Sequence, residues 1–320
     1  MITKNTVFIL GAGASAPYGY PVGIGLRDDI CLNFAQDIET LLRKSNTEYS
    51  YLMDLLELIP DFVQAFRMSR NKSIDRWLSV NPRYKEIGKL AIANSIVKHE
   101  NQANLLFEGK DKAPDWFTVL FNEMIAGSSL PEHFMMQKGG FITFNYDRVL
   151  EYLFYDSFKN TYSGLPDHEV SRILSSLGTS IIHVYGTIDD PPWEKGRSTY
   201  AKDYNLTYLS KARNGIRIIN ERTNDSGTAA MEWRHFRDII FADVDSIFFL
   251  GFGYDPENLR ILDIPNYPDG HKPAIYGTAH GLLAEEIAQA RNRVLRGDPC
   301  LVEPCDCTTL LRKYLHRVMI

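Results

Sequence analysis

Six short apolar runs punctuate the 320-residue chain: VFIL (7–10), GFITF (140–144), IIHVY (181–185), SIFFLG (246–251), AIYG (274–277) and CLV (300–302). Each is rich in β-branched or aromatic residues, and most are apolar on both faces. That is the pattern of central strands in a covered parallel sheet. Between them lie stretches whose apolar residues return at helical spacing, such as EWRHFRDIIFADV (232–244) and LLAEEIAQARNRVLR (282–296). Strands alternating with helices predict an α/β chain with a Rossmann-like doubly wound parallel sheet of about six strands.

The spacing is uneven. About 130 residues separate the first two runs, and they carry helical periodicity, as in YLMDLLELIPDFVQAF (51–66) and KLAIANSIVKHENQANLLF (89–107). We therefore expect one domain over residues 1–320 with a helical insertion subdomain over 33–135. A second, irregular and partly helical excursion is expected over 189–231, where Pro-Pro and Gly-Arg-Ser signals mark loops.

Composition adds little to this picture, and charge removes some partners. A net charge of -5 and a pI near 5.9 give no electrostatic case for nucleic acid. No apolar run reaches the roughly 18 residues needed to span a bilayer. Lys4 ahead of TVFILGAGASA imitates a secretion signal, but the apolar run is short and its glycines weaken it. The four cysteines, Cys31, Cys300, Cys305 and Cys307, form no paired C-x-x-C units. Neither a metal site nor a disulfide framework is indicated, and free thiols in the cytoplasm are expected.

Candidate chemistry gathers at the strand ends. In open α/β sheets, ligands bind beyond the carboxyl ends of the strands. Those ends here carry GAGAS, NYD, HVYGTID, GFGYD, YGT and PCDC, so small and polar residues recur at all six. Gly11, Gly13 and Ala16 fit the G-x-G-x-x-G/A spacing, which lets a backbone approach a pyrophosphate. Equally, the glycines can serve the turn alone. The acidic residue that would end a second strand about 20 residues on is missing, which argues against an ordinary dehydrogenase.

The ordered set GAGAS…GYPVGIGLR, TFNYD, H-x-Y-G-T-I-D and FLGFGYD resembles the sirtuin-like NAD-binding domains of bacterial antiviral defence proteins. The resemblance covers most of the chain outside the insertion. It implies NAD bound as a substrate between a Rossmann-like domain and a helical subdomain, and hydrolysis to nicotinamide and ADP-ribose without a metal. Matched motif by motif, it places Gly11, Ala12, Gly13 and Ser15 at the pyrophosphate and nearby ribose. Pro21 and Arg27 fall in the loop over the nicotinamide half, and Asn145 and Asp147 at the nicotinamide ribose and carboxamide. Gly251, Gly253 and Tyr254 would face the adenosine ribose, with Gly277, Thr278, Cys305 and Asp306 near the adenine. It also implies control by self-assembly as a homo-oligomer, or by a HerA-like hexameric ATPase.

One departure stands out. Sirtuins place a histidine directly before a glycine; here Tyr185 precedes Gly186 and the histidine is His183. On an extended strand the two side chains share a side, so His183 is expected as a general base, with Tyr185 orienting a ribose hydroxyl.

The residues make chemical sense beside the resemblance. The nicotinamide of NAD is cationic and leaves without a general acid, through an oxocarbenium-like transition state. Asn145 can both donate and accept, and Asp147 can accept from a carboxamide. Three alternatives stay open. Asn145 and Asp147 can instead cap the helix RVLEYLFYDSF. The Tyr185 departure fits an NAD- or ADP-ribose-binding subunit without turnover. An NAD-dependent deacylase or ADP-ribosyltransferase would use the same cofactor, although the paired cysteines of a zinc ribbon are missing.

Overall fold

Each of the six apolar runs forms a strand in the computed structural model: β1 (Thr6–Leu10), β2 (Gly139–Thr143), β3 (Ile181–His183), β4 (Ser246–Leu250), β5 (Ala274–Thr278) and β6 (Cys300–Glu303). The structure describes residues 1–45, 49–101, 105, 115–127, 129–178, 181–194, 200, 204–219, 221, 228–265, 267, 272–294 and 300–319. All strand pairs are parallel, in the order β3-β2-β1-β4-β5-β6. The chain winds outward in one direction from β1 to β3 and in the other from β4 to β6. This is the Rossmann order, and its topological switch point lies between β1 and β4.

The register stacks aromatic residues across the sheet. Phe141, Phe8, Phe248 and Tyr276 occupy adjacent positions on four neighbouring strands. Phe8 stacks on Phe141 at 5.1 Å and on Phe248 at 5.3 Å, and Tyr276 continues the row onto Tyr314 at 4.7 Å. Such cross-strand pairs stabilise a sheet and pin its register. Both faces of β1 and β4 are buried, which explains why their sequences are uninterrupted apolar runs.

A short helix α1 (Ala12–Ser15) follows β1, and five helices come next: α2 (Ile24–Lys44), α3 (Met53–Leu56), α4 (Ile59–Ser69), α5 (Ile74–Ser79) and α6 (Lys85–His99). Helix α6 is buried on every side from Ile87 to Val97. Its polar residues survive there because each finds a partner. Lys89 pairs with Glu221, Asn94 donates to Asp37, and Ser95 donates to Asp29.

Helix α7 (Trp116–Ile125) lies within the expected insertion but packs on the sheet side. Its Phe117 meets Phe154 edge-on at 4.9 Å, on α8 (Val149–Thr161). After α9 (Asp167–Gly178), α10 (Leu206–Gly215) packs against α6. The helical body thus draws on both expected excursions, and it begins earlier than residue 33, because α2 runs unbroken from Ile24. Four further helices follow among the described residues: α11 (Thr228–Phe241), α12 (Pro256–Leu262), α13 (Ala284–Val294) and α14 (Cys307–Tyr314). Among the described residues, no helix is long and apolar enough to cross a membrane.

Candidate functional site

The loops after β1 and β4 touch directly at the switch point. Gly11 N–H donates to Leu250 O and Gly13 N–H to Gly251 O, both at 3.0 Å. A Cβ on Gly11 would lie 2.6 Å from Gly251 O, and one on Gly13 would lie 2.8 Å from Gly251 Cα. Gly251 itself has φ +59°, and its Cβ would meet Ala14 N at 2.1 Å. These three glycines therefore let two loops pass without side chains between them. Thr278, at the end of β5, ties the arrangement down by accepting from Gly251 N–H at 2.8 Å.

Above this contact opens a cavity of about 1230 Å³. It is larger than the roughly 300–1,000 Å³ usual for drug-sized ligands. It reaches from Tyr185 beyond β3 to Asp306 and Thr309 beyond β6. Five strand spacings cover roughly 24 Å, which suits an elongated ligand. Of the residues singled out in the sequence, Gly11, Ala12, Gly13, Ser15, Pro21 and Arg27 line it near β1. Asn145, Asp147 and Tyr185 line it beyond β2 and β3, and Gly251, Gly253, Thr278 and Asp306 beyond β4 to β6.

Asn145 is held from three directions. Its N–H donates to Thr143 Oγ1 at 3.1 Å, and Nδ2 donates to Gly11 O at 3.0 Å and to Ser15 Oγ at 2.9 Å. Both amide hydrogens are thus committed to the protein. Its Oδ1 is buried and, among the described residues, has no hydrogen-bond partner. An acceptor left in this state is costly unless a ligand or water meets it.

Ser15 accepts from Asn145, so its own hydroxyl hydrogen is free to donate to Asp147. Asp147 also accepts, at 3.1 Å, from the N–H of Val149, the first residue of α8. The N-cap position itself is Arg148, which makes no side-chain cap bond, so neither Asn145 nor Asp147 is the N-cap of this helix. Burial pushes the Asp147 carboxyl up to about 6, against the Ser15 and Val149 hydrogen bonds that favour its charge.

His183 does not line the cavity. Strand β3 ends at this residue, the chain turns at Val184 and Tyr185, with Gly186 N–H donating to His183 O at 3.3 Å, and the same-side relation of His183 and Tyr185 is lost. His183 pairs in register with Thr143 and points at α8 instead. Its Nδ1 faces Asn145 O at 2.9 Å and its Nε2 faces Glu151 Oε1 at 2.6 Å. Both partners are acceptors, so both ring nitrogens carry hydrogen. Burial opposes the charge, but the Glu151 carboxylate outweighs it and the histidine is raised above its ordinary value. His183 is a charged strut beneath the Asn145 backbone.

Tyr254, Gly277 and Cys305 also fall outside the lining. Tyr254 has φ +52°, its ring is buried, and its hydroxyl donates to Thr278 O at 3.0 Å. A Cβ on Gly277 would lie 2.2 Å from that hydroxyl, so the glycine makes room for the tyrosine. Cys307 lines the cavity in place of Cys305, and burial pushes its thiol up to about 12. Asp306 caps α14 by accepting from Thr309 N–H at 2.7 Å. Arg27 is anchored by Asp28 at 2.9 Å and by Arg67 O at 3.0 Å.

Among the lining residues not singled out in the sequence are Tyr146, Asp75 and Asn258. Tyr146 bonds through its hydroxyl to Asp75 on α5, and Tyr185 Oη donates to Asn258 Oδ1 at 2.6 Å. Asp75 carried no local signal beyond a place in the first turn of a helix; Tyr146 stood inside the NYD motif. Among the described residues no group of three or more His, Cys, Asp or Glu side chains is placed to hold a metal. No family model matches the chain, and no curated protein matches it in sequence.

Proposed function

We propose that the chain is an NAD glycohydrolase that cleaves NAD to nicotinamide and ADP-ribose, as a regulated antiphage effector. The observation that carries this reading is Asn145 Oδ1, a buried acceptor without a partner among the described residues, on a residue lining an elongated cavity at the switch point. A ribose hydroxyl or an attacking water satisfies it. With both amide hydrogens fixed, the amide plane is already oriented before the reaction.

The remaining roles follow from charge. In the transition state positive charge moves from the pyridinium onto the ribosyl ring. The buried Asp147 carboxylate stabilises that charge, and the low local dielectric strengthens its effect. The Ser15 hydroxyl and Val149 N–H hold the carboxylate in place. His183 supports the loop from below through the Asn145 carbonyl. The resemblance to defence proteins supports restraint by self-assembly or by a HerA-like ATPase.

The test is nicotinamide release from NAD by the purified chain. Asn145→Ala loses about 10²–10³-fold, the usual effect of removing one preorganised polar group. No release by the wild type in any oligomeric state overturns the reading. A second reading has its own support: His183, the motif's histidine, lies outside the cavity with both ring nitrogens engaged. It is an NAD- or ADP-ribose-binding subunit without turnover, distinguished by NAD binding with no nicotinamide released.

A further inference from the structure

Among the described residues six carboxylate side chains line the cavity, and each has a partner within the protein. Asp115 accepts from Tyr18 Oη and Thr118 N–H, and Asp255 and Asp306 cap helices. Glu257 pairs with Arg260, and Asp147 accepts from Ser15 and Val149. Asp75 differs in where its partner sits. Its Oδ1 accepts from the Tyr146 hydroxyl, its own backbone N–H is a second donor, and the half-buried residue lines the cavity.

Its tether matters, because Tyr146 stands between Asn145 and Asp147 in the loop after β2. The Tyr146 hydroxyl therefore fixes Asp75, a residue of the helical body, against the loop that carries the two groups assigned to the ribose. No lining histidine competes for that place. His183 is engaged elsewhere, and His280 lies at the end of β5, three strand spacings or roughly 14 Å from β2.

We propose that Asp75 is the general base that accepts the proton of the attacking water. This rests on the glycohydrolase reading above. The water oxygen bonds to the anomeric carbon as the C–N bond breaks. The bonding pair goes to the pyridinium nitrogen, which leaves as neutral nicotinamide. The water proton passes to the Asp75 carboxylate and from there to solvent. The labour is divided as between the two carboxylates of a glycosidase, with Asp147 stabilising the ribosyl charge and Asp75 activating the water. Burial pushes the Asp75 carboxyl up to about 6, against the Tyr146 hydrogen bond, so at neutral pH it is ionised and still basic enough to take a proton. The helical body then completes the catalytic centre as well as roofing it.

The experiment compares wild type, Asp75→Asn, Asp75→Ala and Tyr146→Phe as full-length proteins. Nicotinamide release is measured with and without sodium azide, and ADP-ribose binding by calorimetry. Azide is a nucleophile with no proton to lose, so it bypasses a missing base. Both Asp75 variants lose about 10²–10⁴-fold in turnover while ADP-ribose affinity is unchanged, and Tyr146→Phe loses less. Azide restores nicotinamide release in Asp75→Ala, with ADP-ribosyl azide as the product. Wild-type turnover in Asp75→Asn overturns the role, as does loss without azide rescue. Loss of ADP-ribose binding assigns Asp75 a structural place and overturns it too. A wild type that releases no nicotinamide brings down the glycohydrolase reading and this role with it, whereas an active wild type with unaffected variants overturns the role alone.

Discussion

At Asp147 the proposed function and stability oppose each other at a single residue. Its carboxyl is held at about 6 in the fold against 3.8 in a free chain. A raised value means that its contribution to stability is complete below pH 3.8 and is lost as pH rises through about 6. At pH 7.5 the buried charge destabilises the fold by up to about 3 kcal/mol. Asp147→Asn therefore melts above the wild type at pH 7.5 and loses nicotinamide release, and the two melting curves converge below about pH 4. A variant that melts lower at pH 7.5 would contradict this. His183 also carries a raised value, from its Glu151 partner. Its contribution is present below the ordinary histidine range and is lost as pH rises through the folded value. The imidazole should show both ring N–H signals by nitrogen-resolved NMR at pH 7; a neutral ring would contradict the strut.

At the scale of elements, the loop after β2 is bolted to the helical body by one arginine. Arg148 is buried, meets Glu100 through Nε and Nη2 at 3.0 Å each, and approaches Asp189 at 3.6 Å. Glu100 follows α6 and Asp189 follows β3, so three segments converge on this guanidinium. Arg148→Ala takes the guanidinium from the buried Glu100 carboxylate, while Asp189 keeps Lys211 at 2.7 Å, and should cost about 3–5 kcal/mol in denaturant unfolding. A loss under about 1 kcal/mol would show the staple to be dispensable. The strands themselves were legible from local pattern, because a parallel sheet covered on both faces demands runs such as VFIL and SIFFL. The end of β3 was not. IIHVY looks extended to its last residue, but the turn at Val184 and Tyr185 sends Tyr185 to the cavity and leaves His183 on α8. The insertion's edges were also hidden, since α2 is one amphipathic helix that crosses the expected boundary and α7 serves the sheet.

Across the whole molecule, the switch point between β1 and β4 locates the cavity, and the helical body closes it. Motif order along the chain was enough to nominate Asn145, Ser15 and Asp147, because strand ends in a wound sheet meet by topology. Asp75 was beyond such reasoning. It reaches Tyr146 from 71 residues away through the packing of helices, which no local spacing encodes. The central claim is that this cavity breaks the bond between ribose and nicotinamide, with Asn145 at the reacting carbon. The most direct measurement is nicotinamide release from NAD by wild type and Asn145→Ala across a range of protein concentrations. Release by the wild type, falling about 10²–10³-fold in the variant, is the result predicted. No release by the wild type at any concentration, or equal release by both, would contradict it.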